Sequence, residues 1–218
     1  MKKLDQLMEV LNDQRGKEVV FVSHCLLNMN TRYLGGAFRK GSVTEVIEDM
    51  MARGVGIIQM KCPEQVAWGG VLKKYLWIAV DSRRTIIYFM KPLLLWIFLV
   101  YTRSVYKRLA RETVSMIHDY IKSGYQVLGV IGVDGSPTCG VTTTLDMKEA
   151  FDYFADLNIE QIERSNFNTE LYAKCAMKGK GIYLEELRKK LKSKKIDLPF
   201  YGHSLLSEMC NEKCKIII

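Results

Sequence analysis

Three short runs of apolar, largely β-branched residues constrain the fold of this chain more than any other feature. They span residues 18–23, 55–60 and 126–133. Mainly apolar runs of this length are typical of strands that are buried on both faces of a parallel sheet. Elsewhere the apolar residues recur at helical spacing. The predicted helices span residues 3–14, 43–53 and 103–122, and a shorter run at 198–201 predicts an edge strand. This alternation predicts one α/β domain with a mainly parallel, Rossmann-like sheet flanked by helices.

The composition agrees with one globular domain. The chain has 218 residues, of which 48% are hydrophobic and 26% are charged, and this excludes a disordered or fibrous chain. Its formal net charge is +8. Six cysteines are too few for a disulfide scaffold. The first residues lack the apolar core of a signal peptide, so we expect a cytoplasmic protein whose cysteines are free thiols, metal ligands or catalysts.

Residues 86–101, here called the apolar segment, do not fit the simple alternation of helices and strands. Fourteen of these sixteen residues are apolar, and the exceptions are Lys91 and Pro92. A membrane-spanning helix needs about 20 apolar residues, which is more than this segment has. Basic residues flank the segment on both sides, so no charge asymmetry would orient a membrane span. We expect an apolar helical insertion that begins near Pro92 and is covered by the core or by a second copy of the chain. Contact with a membrane surface is the next alternative, and a true span is the least favoured.

A second unusual segment is basic. Residues 174–195 contain nine lysines and arginines but only two acidic residues. Such a charge could attract nucleic acid or an anionic membrane. The favoured interpretation is a solvated helix face, because Leu184, Leu187 and Leu191 keep helical spacing beneath the charges. We therefore expect residues 174–218 to form a basic, helical C-terminal elaboration of the domain.

Three of the cysteines share one sequence context. Cys25, Cys62 and Cys139 each follow closely after one of the three predicted strands. In an open α/β sheet, ligands bind in the crevice beyond the carboxyl ends of the strands. The three thiols are therefore expected to meet at one edge of the sheet.

Several chemistries would use three thiols in one crevice. The thiols could hold an iron–sulfur cluster with one iron left without a protein ligand, or a zinc ion with His24 as the fourth ligand. Without a metal, one cysteine could act as a nucleophile with His24 or Glu64 as its base. The remaining alternative is three structural cysteines at strand ends. The spacing alone leaves these alternatives open.

The residues around these cysteines resemble those of a known family. The motifs are Ser-x-Cys-Leu-Leu at 23–27, Arg-Tyr-Leu-Gly-Gly at 32–36, Cys-Pro-Glu at 62–64 and Ser-Pro-Thr-Cys-Gly at 136–140. They occur in order, and each cysteine motif follows a predicted strand. The chain resembles the 2-thiouracil desulfurase (TudS) family and, more closely, its TudS-related desulfidases. The resemblance covers about residues 19–140, and weaker motifs extend it to the C-terminal part.

This resemblance implies a [4Fe–4S] cluster bound by Cys25, Cys62 and Cys139. The fourth iron would bind the sulfur of a thiocarbonyl substrate, water would attack the carbon, and the sulfur would leave as hydrosulfide. The family's acid/base carboxylate corresponds to Glu64 and its catalytic serine to Ser136. The residues themselves agree, because Glu64 lies two positions after Cys62 and Ser136 three positions before Cys139.

The chain departs from the family pattern beside the first and third cysteines. His24 stands where typical members have alanine, Asn28 lies where a glycine is usual, and Thr138 replaces a serine. His24 and Asn28 are therefore candidates for binding the substrate, although His24 could equally be a hydrogen-bonded structural histidine. Arg32 and Tyr33 are further candidates, which would either orient an anionic or planar substrate or pin the loop after the first cysteine.

The other histidines and cysteines carry weaker expectations. His118 is predicted to be structural, and His203 could reach the site from a C-terminal loop. Cys175 is expected to be a packed thiol. Cys210 and Cys214 are expected to be free thiols near the terminus, with a second metal site as the alternative.

The sequence thus predicts a [4Fe–4S]-dependent desulfidase that acts on a thiolated nucleobase or a related thiocarbonyl compound. Some larger relatives act on thiolated tRNA through an added RNA-binding domain. No such domain is evident here, so a small substrate is favoured over tRNA. The alternative is a non-catalytic iron–sulfur or zinc protein, or a sulfur-trafficking protein, that associates with a membrane. A homodimer is compatible with either function.

Overall fold

The computed structural model describes residues 2–11, 13–76 and 91–212, which form an α/β fold. Its strands are β1 (Glu18–Ser23), β2 (Gly56–Met60), β3 (Gln126–Asp134), β4 (Thr143–Leu145), β5 (Ala176–Lys178) and β6 (Phe200–Ser204). Its helices are α1 (Lys2–Val10), α2 (His24–Leu27), α3 (Thr44–Ala52), α4 (Pro63–Ala67), α5 (Lys91–Lys122), α6 (Met147–Asp156), α7 (Arg164–Cys175), α8 (Ile182–Ser193) and α9 (Leu205–Met209). Short 3-10 turns lie at Met29–Thr31 and Ile159–Gln161.

Four strands form one parallel sheet in the order β2-β1-β3-β6. β1 lies inside the sheet, where Phe21 pairs with Ile58 of β2 on one side and with Val130 of β3 on the other. After its first residue β1 is buried throughout, which explains why the run is apolar on both faces. The prediction of an α/β domain with a mainly parallel, Rossmann-like sheet is confirmed.

The strand order creates a crevice at one edge of the sheet. From β1 the chain moves outward to β2 and then returns past β1 to β3, so the order of the strands reverses between β1 and β3. In open α/β sheets, ligands bind beyond the carboxyl ends of the strands at such a reversal point. The segments that follow β1 and β3, which carry Cys25 and Cys139, therefore flank this crevice.

Helices cover both faces of the sheet. On one face, Ile117 of α5 and Leu184 of α8 belong to the same buried cluster as Phe21. On the other face, Met50 of α3 is buried with Val22. Successive residues of a strand point to opposite faces. β1 therefore contributes to both cores.

The predicted helix at 103–122 and the predicted helix start near Pro92 belong to one long helix. α5 runs from Lys91 over 32 residues, with Pro92 in its first turn, where the missing N–H group has no helical partner to lose. Within the apolar segment, Leu95 and Phe98 pack on the core. The core does not cover the outward side chains, and cover by a second copy of the chain stays a prediction. These exposed side chains are Leu93, Leu94, Trp96, Ile97, Leu99, Val100 and Tyr101.

The rest of the apolar segment, residues 86–90, lies outside the described residues. Among the helices of the described chain, none is long and apolar enough to cross a membrane. α5 becomes polar from Thr102 and Arg103 onward, which limits its apolar part to about three turns.

The basic segment 174–195 is not one helix. It begins at the end of α7, continues through β5 and enters α8, where Leu184, Leu187 and Leu191 are buried. The expected leucine stripe beneath a solvated basic face is therefore confirmed. The expectation that residues 174–218 are helical is incomplete, because β6 supplies the fourth strand of the sheet. This strand begins two residues later than the edge strand predicted from the sequence.

Two other elements differ from the prediction. α1 ends at Val10, earlier than the predicted end at residue 14. β4 and β5 pair as an antiparallel ribbon that was not predicted. Each of these strands has three residues, which is too short to show an alternating pattern.

We expect Leu187→Ala to lower the free energy of unfolding by roughly 2–5 kcal/mol, because its fully buried side chain would leave a cavity. Urea denaturation at neutral pH measures the change. Lys189→Ala, on the exposed face of the same helix, is the control. We expect it to change the free energy by less than about 1 kcal/mol. Equal effects of the two variants would show that the leucine stripe does not anchor α8.

Candidate functional site

The three candidate cysteines lie around one cavity at the carboxyl ends of the strands. Cys25 lies in α2 directly after β1, Cys62 lies directly before α4, and Cys139 lies in the loop after β3. All three line a cavity of about 100 Å³. The expectation that these thiols reach one edge of the sheet is confirmed.

Backbone geometry after β3 folds the Cys139 loop back onto the sheet. Gly135 has a φ of +84°, a left-handed conformation that favours glycine. The Asp134 carboxylate then accepts a hydrogen bond of 2.9 Å from the backbone N–H group of Val141. A Cβ atom on Gly132 would lie only 2.5 Å from the Cys139 carbonyl oxygen. Glycine at this position therefore lets the loop approach β3 closely enough to bring the thiol to the cavity.

Cys62 caps the N-terminus of α4. Its Sγ accepts a hydrogen bond from the backbone N–H group of Gln65 at 3.4 Å, and Pro63 is the first residue of the helix. The sulfur takes the place of the oxygen that usually accepts this bond. Glu64 follows in the first turn. The cap therefore fixes the positions of both the thiol and the carboxylate.

Burial raises the pKa of all three thiols. Burial, with smaller contributions from the Glu64 carboxylate and Cys25, raises the pKa of Cys62 to about 12. The pKa of Cys139 is raised by burial and then by Cys25, and the pKa of Cys25 is raised by burial although the Arg32 guanidinium opposes the change. Ionisation of one thiol therefore disfavours ionisation of its neighbours, and three thiolates in one cavity need a nearby positive charge. A bound metal centre supplies such a charge.

Among the residues that the structure describes, no three His, Cys, Asp or Glu side chains lie close enough to hold one metal ion. A four-iron cluster is a larger body than one ion, so its cysteine ligands stand farther apart. Cys25, Cys62 and Cys139 line one cavity, as such a cluster also needs.

A buried hydroxyl beside Cys139 also fits an iron–sulfur cluster. Ser23 Oγ is buried without a hydrogen-bond partner among the described residues, which is rare for a polar atom in a protein interior. The same hydroxyl lies near Cys139 and opposes the rise in the pKa of that thiol. Hydrogen bonds to the sulfurs are among the features that tune a bound cluster. The donor set of this cavity therefore fits the cofactor that the sequence predicts.

Glu64 is held in the cavity by two side chains. Its Oε1 accepts a hydrogen bond of 2.8 Å from the Thr138 hydroxyl, and its Oε2 lies 3.4 Å from Nζ of Lys73. Lys73 is fully buried and also donates to the Thr31 carbonyl oxygen at 2.5 Å. The hydroxyl of Tyr106 lies 3.2 Å from Thr138 Oγ1 and extends the network. A carboxylate fixed in this way can accept a proton from water in the cavity.

Ser136 keeps a hydrogen-bond donor free for the cavity. Its Oγ accepts hydrogen bonds from the backbone N–H groups of Thr138 at 3.3 Å and Cys139 at 3.1 Å. These bonds use the lone pairs of the oxygen, so the hydroxyl hydrogen is left to donate. Ser136 also lines the cavity. It can therefore close the turn before Cys139 and donate to a bound molecule at the same time.

Arg32 belongs to a buried ion pair. Its guanidinium makes two hydrogen bonds to the Glu208 carboxylate, of 2.6 and 2.8 Å, and the two side chains are only 5% and 0% exposed. His203 Nε2 lies 2.6 Å from the same carboxylate. The Arg32 guanidinium also opposes the rise in the pKa of Cys25. Of the two roles predicted for Arg32, the structure favours pinning the loop after the first cysteine, because its charge is already neutralised.

Of the other three predicted substrate-binding residues, His24 and Tyr33 line the cavity and Asn28 does not. His24 lines the cavity, and burial lowers its pKa below the ordinary value, so its ring is uncharged at neutral pH. Tyr33 also lines the cavity, but its hydroxyl donates to Asn168 Oδ1 at 2.7 Å. Asn28 is outside the cavity lining. Its side chain accepts a hydrogen bond of 3.1 Å from the backbone N–H group of Asn30 and caps a 3-10 turn.

An apolar and aromatic part of the cavity wall was not predicted. Its side chains come from α4, β4, α6 and α7 and the residues beside them, and they include Trp68, Leu145, Met147, Phe151, Phe154 and Leu171. No local motif marks them, because they are ordinary apolar positions of four separate elements. Such a wall suits a flat, uncharged ring.

The remaining cysteines and His118 lie outside this cavity lining. Cys175 is buried in a small cluster that includes Leu171, as expected for a packed thiol. Cys210 is an exposed thiol, and Cys214 lies outside the described residues. His118 is half-buried on α5.

Comparison with known proteins shows similarity to an uncharacterized protein of Methanocaldococcus jannaschii. The two sequences are 29% identical over 147 residues, which are 66% of this chain and 83% of the relative. No family model and no solved structure matches the chain. The resemblance to the desulfidases therefore stays a prediction from the motifs.

We expect Glu208→Gln to lower the free energy of unfolding by roughly 3–5 kcal/mol, because it leaves the buried Arg32 guanidinium without a counter-charge. Urea denaturation at pH 7 measures this loss. Glu112→Gln is the control, since it removes a surface pair with Lys61 whose contribution is about 0–1 kcal/mol. If the two variants were equally stable, Glu208 would not hold the loop as described.

The same carboxylate should make stability depend on pH in the acid range. Burial opposes the change, but hydrogen bonds from His203 and Arg32 lower the pKa of Glu208 from 4.5 to about 2. Its contribution to stability is therefore fully present above about pH 4.5 and is lost as the pH falls through about 2. Urea denaturation repeated between these values should show a steeper loss in the wild-type chain than in Glu208→Gln.

Proposed function

We propose that this chain is a [4Fe–4S]-dependent desulfidase that removes sulfur from a thiolated nucleobase or a related thiocarbonyl compound. The observation that carries the proposal is that Cys25, Cys62 and Cys139 line the same cavity as Glu64 and Ser136. These residues are far apart in the sequence, and they meet because each cysteine segment follows one of three neighbouring parallel strands. The cavity therefore combines soft metal ligands with groups that accept and donate protons.

In this proposal the three cysteines are the ligands of the cluster. The unpaired hydroxyl of Ser23 would donate a hydrogen bond to the sulfur of Cys139, and the guanidinium of Arg32 opposes the rise in the pKa of Cys25. When bound through three cysteines, a [4Fe–4S] cluster supplies one iron without a protein ligand, which is a Lewis acid for the sulfur of a thiocarbonyl group.

The residues of the chain itself orient the substrate and move the protons. The rings of Trp68 and Phe151 pack against a flat substrate, and Ser136 donates a hydrogen bond to it. Glu64 accepts a proton from water as the water oxygen bonds to the thiocarbonyl carbon. Thr138 and Lys73 hold the carboxylate in place during this step. Overall, C=S and water give C=O, hydrosulfide and one proton, and no electrons are transferred.

The cavity supports a small substrate. Much of its wall is apolar and aromatic, and the basic side chains that line it or lie beside it, Arg32 and Lys73, are buried and paired. These features suit a free base better than the phosphate backbone of tRNA, which would need exposed basic groups at the cavity. We place the reaction in the cytoplasm, where a reducing environment keeps the cysteines available as ligands.

The first prediction is that protein purified without oxygen contains about four irons and four acid-labile sulfides per chain. The variant Cys25/Cys62/Cys139→Ser should lose both, together with the visible absorption of the cluster. Cys210→Ser is the matched control, because it replaces an exposed thiol outside the cavity and should keep the cluster. Zinc in place of iron, or no metal after anaerobic reconstitution, would overturn the proposed cofactor.

The second prediction concerns Glu64→Gln. This variant should keep its iron but release hydrosulfide from 2-thiouracil with a kcat about 10²–10⁴-fold lower, because the amide cannot accept a proton. The Thr138 hydroxyl can still bond the amide oxygen, so the side chain should stay in position. Glu112→Gln serves as the surface control.

The same variant separates an enzyme from a carrier. A non-catalytic iron–sulfur protein should bind its metal and sulfur equally well with and without Glu64. A sulfur-trafficking protein should carry bound extra sulfur and release it once per chain, without multiple turnovers. Either result would replace the desulfidase proposal, as would unchanged turnover in both Glu64→Gln and Ser136→Ala.

A further inference from the structure

The outward face of α5 is divided into an apolar half and a cationic half. The apolar half consists of the exposed side chains of Leu93, Leu94, Trp96, Ile97, Leu99, Val100 and Tyr101, of which Trp96 is 62% exposed. The cationic half consists of the exposed side chains of Arg103, Lys107, Arg108 and Arg111. A contiguous exposed apolar surface of this kind marks an interaction site in most soluble domains.

Helical spacing places both halves on the same side of α5. Leu93, Ile97 and Val100 follow the three- and four-residue steps of one helix face, and the same steps lead onward to Lys107 and Arg111. The opposite side of the helix is buried against the core of the domain. The divided face therefore points away from the protein.

The cationic half lacks counter-charges within the described chain. No acidic residue of the described chain pairs with any of its four members. Glu112, the next residue after Arg111, bonds to Lys61 instead, at 2.9 Å. On the neighbouring α8, Lys189 pairs with Glu185 and is repelled by Arg103. These cations therefore favour a negatively charged partner.

The dimensions of the apolar half match a membrane surface. From Leu93 to Tyr101 the helix rises by about 12 Å, far less than the hydrocarbon core of about 30 Å. Shallow insertion at the boundary between headgroups and acyl chains reaches about 5–10 Å. Trp96 and Tyr101 are of the residue types that prefer this boundary.

We propose that this face of α5 docks on an anionic phospholipid membrane, with the apolar half at the acyl boundary and the cationic half against the lipid phosphates. Charge complementarity favours lipid over a second copy of the chain, because an identical face adds four more cations and no anion. The loop after α4 exposes three further apolar side chains, Val71, Leu72 and Tyr75. This loop follows α4, whose last turn is joined to α5 by the contact between Trp68 and Phe98.

The test is co-sedimentation of the full chain with lipid vesicles at physiological ionic strength. Vesicles of phosphatidylcholine with roughly one third phosphatidylglycerol should bind the chain at least about tenfold more tightly than phosphatidylcholine alone. The variant Trp96/Ile97→Ser tests the apolar half and should bind at least about tenfold more weakly. The variant Arg103/Lys107/Arg108/Arg111→Gln tests the cationic half and should lose binding to the same extent.

A matched control separates docking from net charge. Four exposed lysines elsewhere on the described surface are changed in the variant Lys40/Lys122/Lys148/Lys178→Gln. This control removes the same charge and should keep binding within about threefold of the wild-type chain. Because every changed side chain is exposed, thermal denaturation should give the same midpoint for all variants.

Three results would overturn the docking surface. Equal losses in the two four-charge variants would show that binding follows net charge alone. Unchanged binding of Trp96/Ile97→Ser would exclude the apolar half. Absence of vesicle binding, together with a dimer in sedimentation velocity that Trp96/Ile97→Ser dissociates, would assign the face to a second copy of the chain. All these readouts are independent of iron content and turnover, so they also stand apart from the proposed function.

Discussion

One buried ammonium group joins the two loops that carry the first two candidate ligands. Lys73 has no exposed surface, and its Nζ contacts the Thr31 carbonyl oxygen after β1 and the Glu64 carboxylate after β2. Its backbone has a φ of +53°, a conformation that a side chain adopts only at some cost in free energy. Burial of an unpaired charge would cost several kcal/mol. Because losing either contact of Lys73 would leave its charge less well paired, both the Thr31 and the Glu64 contacts are maintained. These contacts link the loop that carries Cys25 to the loop that carries Cys62.

Other polar contacts bring the remaining strands into the same arrangement. Thr138, after β3, donates to Glu64, and Glu208, after β6, binds Arg32, after β1. The carboxyl ends of all four parallel strands are thus connected through buried side chains. His203 of β6 completes the second connection. This network holds two parts of the cavity wall in fixed relative positions. One part carries the proton-transferring groups, and the other carries the apolar rings.

The sequence predicts the parts of this arrangement that depend on local pattern. β1 and β3 are recognisable because strands buried on both faces are continuously apolar, and the meeting of the cysteines follows from strand topology. Lys73 and Glu208 could not be predicted, because a single charged residue in the sequence looks the same whether it is solvated or paired in the interior. The exposure of Ile97 could not be predicted either, since an apolar pattern shows that a side chain needs cover but not what supplies it.

The exposed face of α5 and the cavity are parts of one packed unit. Phe98 lies on the inner side of the apolar half of α5 and packs on two other rings. Its ring centroid lies 6.3 Å from that of Trp68 and 6.4 Å from that of Phe151, which it meets edge-on. Both of these rings line the cavity, and Trp68 also donates from Nε1 to the Thr102 hydroxyl at 3.2 Å. Because protein interiors are close-packed, a displacement of one buried ring is transmitted to the rings that it contacts. A membrane that changed the tilt of the first turns of α5 would therefore move the aromatic wall against which a flat substrate rests, and the two proposals for this chain meet at Phe98.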